Sequence, residues 1–220
     1  MRHRAFSPDL TAAAARLHLL PSAGFLDRTP QHRTYWTIAA GFAGKTAVRG
    51  ASGDILVTDG KDIYEVQGFP VQRHSYFDPR VRGYKLLAGT LPASRGPAAA
   101  PAGKKKRRGR GAAAARPVPR WSIDVPLAGK AIVLAGDVVF VAGTPAYFPP
   151  DHPAEKYEAA HAGKLGGVLW AASATDGRKL AEYKLPAAPC WDSLAVAQGS
   201  LFVSLGDGTV QCWRERPEGD

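Results

Sequence analysis

Short apolar stretches alternate with turn residues along most of the chain, and this pattern predicts β-strands joined by tight hairpins. Residues 33–38 are rich in β-branched and aromatic side chains, which favours a strand. Two further apolar stretches, 55–57 and 63–66, flank Asp59-Gly60-Lys61. An Asp-Gly pair between two such stretches is a strong hairpin signal, and we expect a hairpin here.

The second half of the chain repeats this pattern with more regular spacing. Its turns contain Gly beside Asp, Ser or Gln, as β-hairpin turns commonly do. The predicted strands of the chain after the first hairpin are 84–87, 121–125, 131–135, 138–142, 167–171, 179–184, 193–197, 201–204 and 210–213. A polar insert at 149–164 separates two of them, with a helical turn expected at 154–161. A second helical turn is expected at 10–20, because Ala12 to Ala15 are good helix formers and Pro21 ends the stretch.

The strand pattern recurs as a repeat. The stretch 53–64 is similar to 199–210, and 136–143 matches the first half of both, each reading as turn, apolar strand and Gly/Asp turn. Repeated small sheets bury both faces by stacking around an axis. The sequence therefore predicts an all-β fold, a partial β-propeller of two to three four-stranded antiparallel blades.

Residues 93–119 differ in kind from the rest. No residue from 93 to 115 is aromatic or a large aliphatic, so this stretch cannot bury enough apolar surface to offset its ordering entropy. We expect one long disordered loop at 93–119, between N-terminal blades at 1–92 and C-terminal blades at 120–214, with a tail at 215–220. Since known propellers close with about four to eight blades, the chain is expected to be a fragment, one member of an oligomer, or the partner of another propeller piece.

The segment 167–213 resembles a blade of the pyrroloquinoline quinone (PQQ) type propeller repeat. Asp176-Gly177-Arg178 stands where Thr-Gly-Lys is usual in that family, and Ala181 stands where a docking Trp is usual. The segment 24–36 also resembles a stretch found in some large bacterial proteins with such repeats.

The resemblance implies a cofactor only in part of the family. Quinoprotein alcohol dehydrogenases hold PQQ on the propeller axis against a Trp and a disulfide of adjacent cysteines, with calcium bound by carboxylates and an amide. Cys190 and Cys212 are not adjacent, and the chain contains no Asn. We therefore predict no catalytic, cofactor-binding or metal residues and a non-catalytic scaffold that binds other proteins or missing propeller blades. The alternative is a fragment of a PQQ-dependent oxidoreductase with its PQQ and calcium site outside this chain.

Two groups of residues are candidates for contact with a ligand or partner. His32, Arg33, Tyr35 and Trp36 could line a pocket or interface, although a strand that packs its aromatic rings between blades has the same pattern. The second group is a basic run whose removal lowers the net charge from +10 to +4: Lys104, Lys105, Lys106, Arg107, Arg108 and Arg110. Its contact with nucleic acid would be electrostatic, since no aromatic residue is interleaved; a solubilising loop is the favoured interpretation.

The remaining chemistry is sparse. Cys190 and Cys212 are expected to be buried thiols, and sequence leaves their pairing open. The candidate metal ligands are Asp151, His152, Glu155, Glu158 and His161, but no spacing among them matches a metal-site template. No apolar stretch reaches the length of a membrane span. We expect a cytoplasmic chain as written, or a periplasmic or cell-envelope one if a signal sequence lies upstream.

Overall fold

The computed structural model describes residues 17–21, 36–40, 51–53, 55–67, 83–90, 119–147 and 151–214, the first three ranges as backbone alone. These ranges hold fourteen strands and one helix. The strands are β1 (Leu17–Pro21), β2 (Trp36–Ala40), β3 (Ala51–Gly53), β4 (Ile55–Thr58), β5 (Asp62–Gln67), β6 (Tyr84–Thr90), β7 (Trp121–Val125), β8 (Leu127–Ala135), β9 (Val138–Pro145), β10 (Gly167–Ser173), β11 (Lys179–Leu185), β12 (Pro189–Ala197), β13 (Ser200–Leu205) and β14 (Val210–Arg214), and helix α1 (Ala154–His161) lies between β9 and β10.

The strands form four antiparallel sheets in chain order, each a simple meander. Sheet A contains β1–β3, sheet B contains β4–β7, sheet C contains β8–β11 and sheet D contains β12–β14. Two sheets therefore have four strands and two have three, where the sequence predicted two to three four-stranded units. None of the four sheets closes on itself, and sheet C shares one core with sheet B and another with sheet D.

The two middle strands of sheet C, β9 and β10, are buried on both faces because they carry apolar residues at almost every position. Val139 and Val141 of β9 point into a core shared with sheet B, which also contains Val66 and Leu86. The next residue along β9, Ala142, points to the opposite face of the sheet, into a core that sheet C shares with sheet D. Successive side chains of a strand face opposite sides, so a continuous apolar strand fits the middle of a stack.

The first strands of sheets B, C and D lie side by side. β8 packs against β4 of sheet B and against β12 of sheet D. Gly129 of β8 makes the first approach close: a Cβ at this position would lie 3.0 Å from Ile55 Cδ1 and from Val66 Cγ1. At the other end of the stack, β3 of sheet A packs against β5 of sheet B.

Most local predictions agree with this fold. The Asp59-Gly60-Lys61 hairpin is confirmed, with Gly60 at φ +91° as such a turn requires. Helix α1 is confirmed at 154–161. The helical turn expected at 10–20 is wrong where it overlaps the described residues, because residues 17–21 pair with β2 as a strand and this pairing overrides helix propensity. Within the described residues, no helix combines the length and apolar character that crossing a membrane would need.

The expected loop at 93–119 falls almost entirely outside the described residues, but its flanks are informative. β6 ends at Thr90 and β7 begins at Trp121, and these two strands pair as neighbours in sheet B. The stretch between them therefore connects two strands of one sheet, and sheet B contains residues from both sides of it.

Candidate protein-binding surface

Sheets B and C are joined by a contact between an indole ring and a turn. Trp121 begins β7 of sheet B, and its Nε1 donates to the carbonyl oxygen of Ala174 in sheet C at 3.0 Å. The ring lies on Gly177, which has φ +77° in the turn between β10 and β11. A Cβ on Gly177 would come within 2.6 Å of Trp121 Cε3. Only glycine therefore fits this turn with the ring in place.

An arginine reinforces the same junction. Arg120 donates from Nη1 to Asp62 Oδ2 at 2.8 Å and from Nη2 to the Ala174 carbonyl oxygen at 2.9 Å. Thr90 donates its hydroxyl to the other carboxylate oxygen of Asp62. The hydrogen bond from the Arg120 guanidinium lowers the pKa of Asp62 below its ordinary value, and Asp62 in turn raises the pKa of Arg120. The pair is thus held charged at the sheet B–sheet C junction.

Each of the last three sheets carries what we call an aromatic row: three cross-strand neighbours centred on the third residue of the sheet's second strand. The central residue is Tyr64, Phe140 or Phe202. The rows are Val57–Tyr64–Ala88 in sheet B, Val133–Phe140–Ala171 in sheet C and Ala195–Phe202–Cys212 in sheet D.

The first two rows are covered by the next sheet. Tyr64 is 4% exposed in the core between sheets B and C, where Ala88 is fully buried beside it. Phe140 and Val133 pack against the core between sheets C and D. In both sheets the aromatic row therefore marks the face on which the following sheet stacks.

The third row faces away from sheet C. Leu201 and Val203 of β13 point into the core shared with sheet C, so Phe202 between them lies on the opposite face. We call this surface the outer face of sheet D; its cross-strand rows are Ala197–Ser200–Arg214, Ala195–Phe202–Cys212 and Ser204–Val210. Arg214 is the one charged residue of these rows, and its Nε donates to Ser200 Oγ at 2.9 Å. Val210 is 64% exposed, and both Ala195 and Cys212 are exposed.

The ends of sheet D add two further features. β14 is hydrogen-bonded to β13 on one side only among the described strands, so its other edge is available for pairing. At the start of β12 the register breaks between Pro189 and Leu194. This bulge contains Asp192 at φ +53° and presents Trp191 with 52% exposure. Three of the seven exposed large hydrophobic side chains among the described residues, Trp191, Val196 and Val210, thus lie on the last sheet.

Helix α1 and the residues before it form a second surface. The His152 ring meets the Tyr147 ring edge-on at 4.8 Å, and Lys156 Nζ lies 4.0 Å from the centre of the Tyr147 ring. Tyr157 stacks on His161 along the helix. Among the described residues, no three His, Cys, Asp or Glu side chains come together in a way that could hold a metal ion. The insert is therefore a small aromatic and cationic cluster.

The residues predicted from sequence are distributed unevenly over this structure. His32, Arg33, Tyr35 and the basic run Lys104–Arg110 lie outside the described residues, and of Trp36 only the backbone is described, in β2. The prediction that Cys190 and Cys212 are buried is wrong for this chain, because both are exposed and free. Cys212 is exposed since its cross-strand partner Phe202 lies on the outer face of sheet D.

Sequence reasoning missed both the aromatic rows and the Trp121 contact. A signal for the rows was present: an aromatic residue is the third residue of the second strand in each of sheets B, C and D. The distance in sequence between Trp121 and Gly177 hid the contact, since only the stacking of two sheets brings them together.

Comparison with known proteins adds little to this description. No protein-family model matches the chain, and no curated protein matches it in sequence. Among solved structures, the crystal structure of the computationally designed Ika4 protein is similar at 9% identity and a TM-score of 0.43, covering 82% of this chain and 79% of that one.

Proposed function

We propose that this chain is a segment of a PQQ-like β-propeller that acts without catalysis, as a protein-binding or assembly scaffold. The observation that carries the proposal is the outer face of sheet D. Its aromatic row has the same construction as the rows on which sheets C and D stack, and no described sheet covers it. A sheet face with a partly buried aromatic ring, an exposed Val210 and a single arginine, beside a strand edge that no described strand pairs, is a surface suited to binding another protein.

Two further observations support the propeller part of the proposal. The first strands β4, β8 and β12 lie side by side while the sheets stack on their faces, as blades do around an axis. Trp121 at the start of a fourth strand also rests on Gly177, the glycine of the turn that resembles the family's Thr-Gly-Lys. In sheet C the equivalent position opposite Ala171 is Ala181, so only sheet B can make this contact.

The scaffold is testable by placing a photoreactive side chain on the proposed surface. We would replace Ala195 with benzoylphenylalanine in the full chain and irradiate the producing cells. Cross-links to another protein chain are expected, because Ala195 neighbours Phe202 on the outer face of sheet D. The matched control places the same group at Tyr157, which is exposed on helix α1 and is not part of the outer face of sheet D.

The outcomes separate clearly. Adducts at position 195 that disappear in a Phe202→Glu background, with none at position 157, would support a binding surface on sheet D. Equal labelling at both positions, or no adduct at 195, would overturn it. Stoichiometric binding of PQQ with calcium, followed by its absorbance in a titration, would replace the scaffold by the oxidoreductase alternative.

A further inference from the structure

We infer that the outer face of sheet D docks sheet A of a second copy of this chain, so that two chains close head to tail into a ring of eight sheets. The inference rests on the proposed function, because it names the partner of the proposed binding surface. It begins from the aromatic rows, which are the same feature in three successive sheets but in three different environments.

The rows show what kind of surface fits the outer face of sheet D. Wherever a row is covered, the covering element is the next antiparallel sheet of the same stack: sheet C covers Tyr64 and sheet D covers Phe140. The row of sheet D has the same construction, with a small residue, Cys212, at the position where the other rows have Ala88 and Ala171. Its matching occupant is therefore another sheet of this type.

Among the sheets that the structure describes, sheet A has no neighbour before it in the stack. Sheet A packs through β3 against β5 of sheet B, which lies after it in the stack. Sheet A does not pack extensively against sheet D in the described part of the chain. Among the described sheets, sheet A at one end of the stack therefore has no sheet before it, and the outer face of sheet D at the other end has no sheet after it.

Symmetry then favours a closed pair. Joining the last sheet of one copy to the first sheet of another is a head-to-tail contact, which either closes into a ring or continues as a filament. The four sheets that the described residues form give eight in a pair, within the range of about four to eight blades at which propellers close. The pair also covers Cys212, and burial is the usual environment of a free cysteine.

The test combines solution mass with the reactivity of one thiol. In a Cys190→Ser background, Cys212 is the single cysteine of the chain. We expect light scattering to give twice the 23.4 kDa chain mass. We also expect Cys212 to react with a maleimide roughly tenfold or more slowly than in the same chain carrying Phe202→Glu, since a thiol inside an interface reacts only in its open fraction. The Phe202→Glu chain is expected to be monomeric.

A matched control carries Leu180→Glu, a change on β11 at a side chain that is exposed and away from the outer face of sheet D. This variant is expected to keep the doubled mass and the slow reaction of Cys212. Unchanged far-UV dichroism in both glutamate variants establishes that each is folded. Dissociation of the Leu180→Glu chain as well would overturn the inference.

Other results also overturn it, each in its own way. A doubled mass that survives Phe202→Glu places the contact elsewhere. Rapid coupling of Cys212 to Cys212 by a short bismaleimide indicates that two D sheets meet face to face. Filaments exclude a closed ring, and a monomer with a protected Cys212 indicates cover by the same chain. A monomer with a reactive Cys212 contradicts the docking of a second copy. If position 195 still cross-links to a different protein, the proposed scaffold stands. Without such cross-links, the proposed scaffold fails as well.

Discussion

Tyr64 and Phe202 occupy the same place in their sheets and differ in what lies above them. Each is the third residue of a second strand, with a small or β-branched residue on one side and Ala or Cys on the other. Sheet C covers Tyr64, whereas Phe202 lies on the uncovered face of the last sheet. This difference shows that the strand pattern makes a sheet face able to pack against another sheet, whereas the position of the sheet in the stack decides whether another sheet covers that face.

The largest expected effect separates these two aromatic residues directly. Tyr64→Ala should lower the free energy of unfolding by about 3–5 kcal/mol, as expected for truncating a buried aromatic side chain. Phe202→Ala should cost less than half as much in dilute solution, because Phe202 is only partly buried. Urea unfolding of both variants measures the difference.

Protein concentration sharpens this comparison. If a second copy covers Phe202, the cost of Phe202→Ala grows with chain concentration, since the partner stabilises only the folded state. The cost of Tyr64→Ala should stay constant over the same range. Equal costs for the two variants at every concentration would contradict the idea that the two rows lie in different environments.

The contact between sheets B and C should give the next largest effect. Gly177→Ala forces a non-glycine residue to φ +77° and places its Cβ against the Trp121 ring. A loss of about 1–3 kcal/mol is expected, as for other strained backbone positions.

Gly208→Ala is the matched control, because Gly208 has φ +86° in a similar Asp-Gly turn but no atom lies within 4 Å of an added Cβ. Both variants carry the backbone strain, so the excess loss in Gly177→Ala measures the Trp121 contact. Thermal unfolding of the two variants side by side gives this excess. If Gly208→Ala proves as costly as Gly177→Ala, Trp121 contributes little to holding the sheets together.

The smallest expected effect depends on pH. Asp62→Asn should cost about 1 kcal/mol at pH 7, because Arg120 loses a charged hydrogen-bond acceptor at the junction. The folded pKa of Asp62 lies below its unfolded value, so this stabilisation is complete above the unfolded pKa of about 4 and is lost as pH falls through the folded pKa.

The difference between the parent chain and Asp62→Asn in urea unfolding should therefore be constant from pH 7 to about pH 5 and shrink below about pH 4. Taking the difference removes the contribution of the turn residues Asp59, Asp176 and Asp207, whose pKa values are also lowered by local hydrogen bonds. A difference that increased on acidification would show that Arg120 does not stabilise the Asp62 carboxylate.

What could be predicted from sequence follows the range of the interactions involved. The hairpins at Asp59-Gly60 and Asp207-Gly208 were predictable, because turn chemistry acts within a few residues. The all-β character and the strands of sheets C and D followed from alternation for the same reason. The strand at residues 17–21 was not predictable, since its conformation depends on pairing with β2 rather than on its own propensity.

The sequence by itself determined the strands, their turns and the presence of two faces on each sheet that can pack against other sheets. Only the tertiary structure decided that β6 and β7 pair across the 93–119 stretch, that Trp121 meets Gly177, and that Cys212 lies exposed. Turn geometry and strand alternation are settled by neighbours in the chain. The covering of a face requires a second sheet, and which sheet is next to which depends on the order of the whole stack.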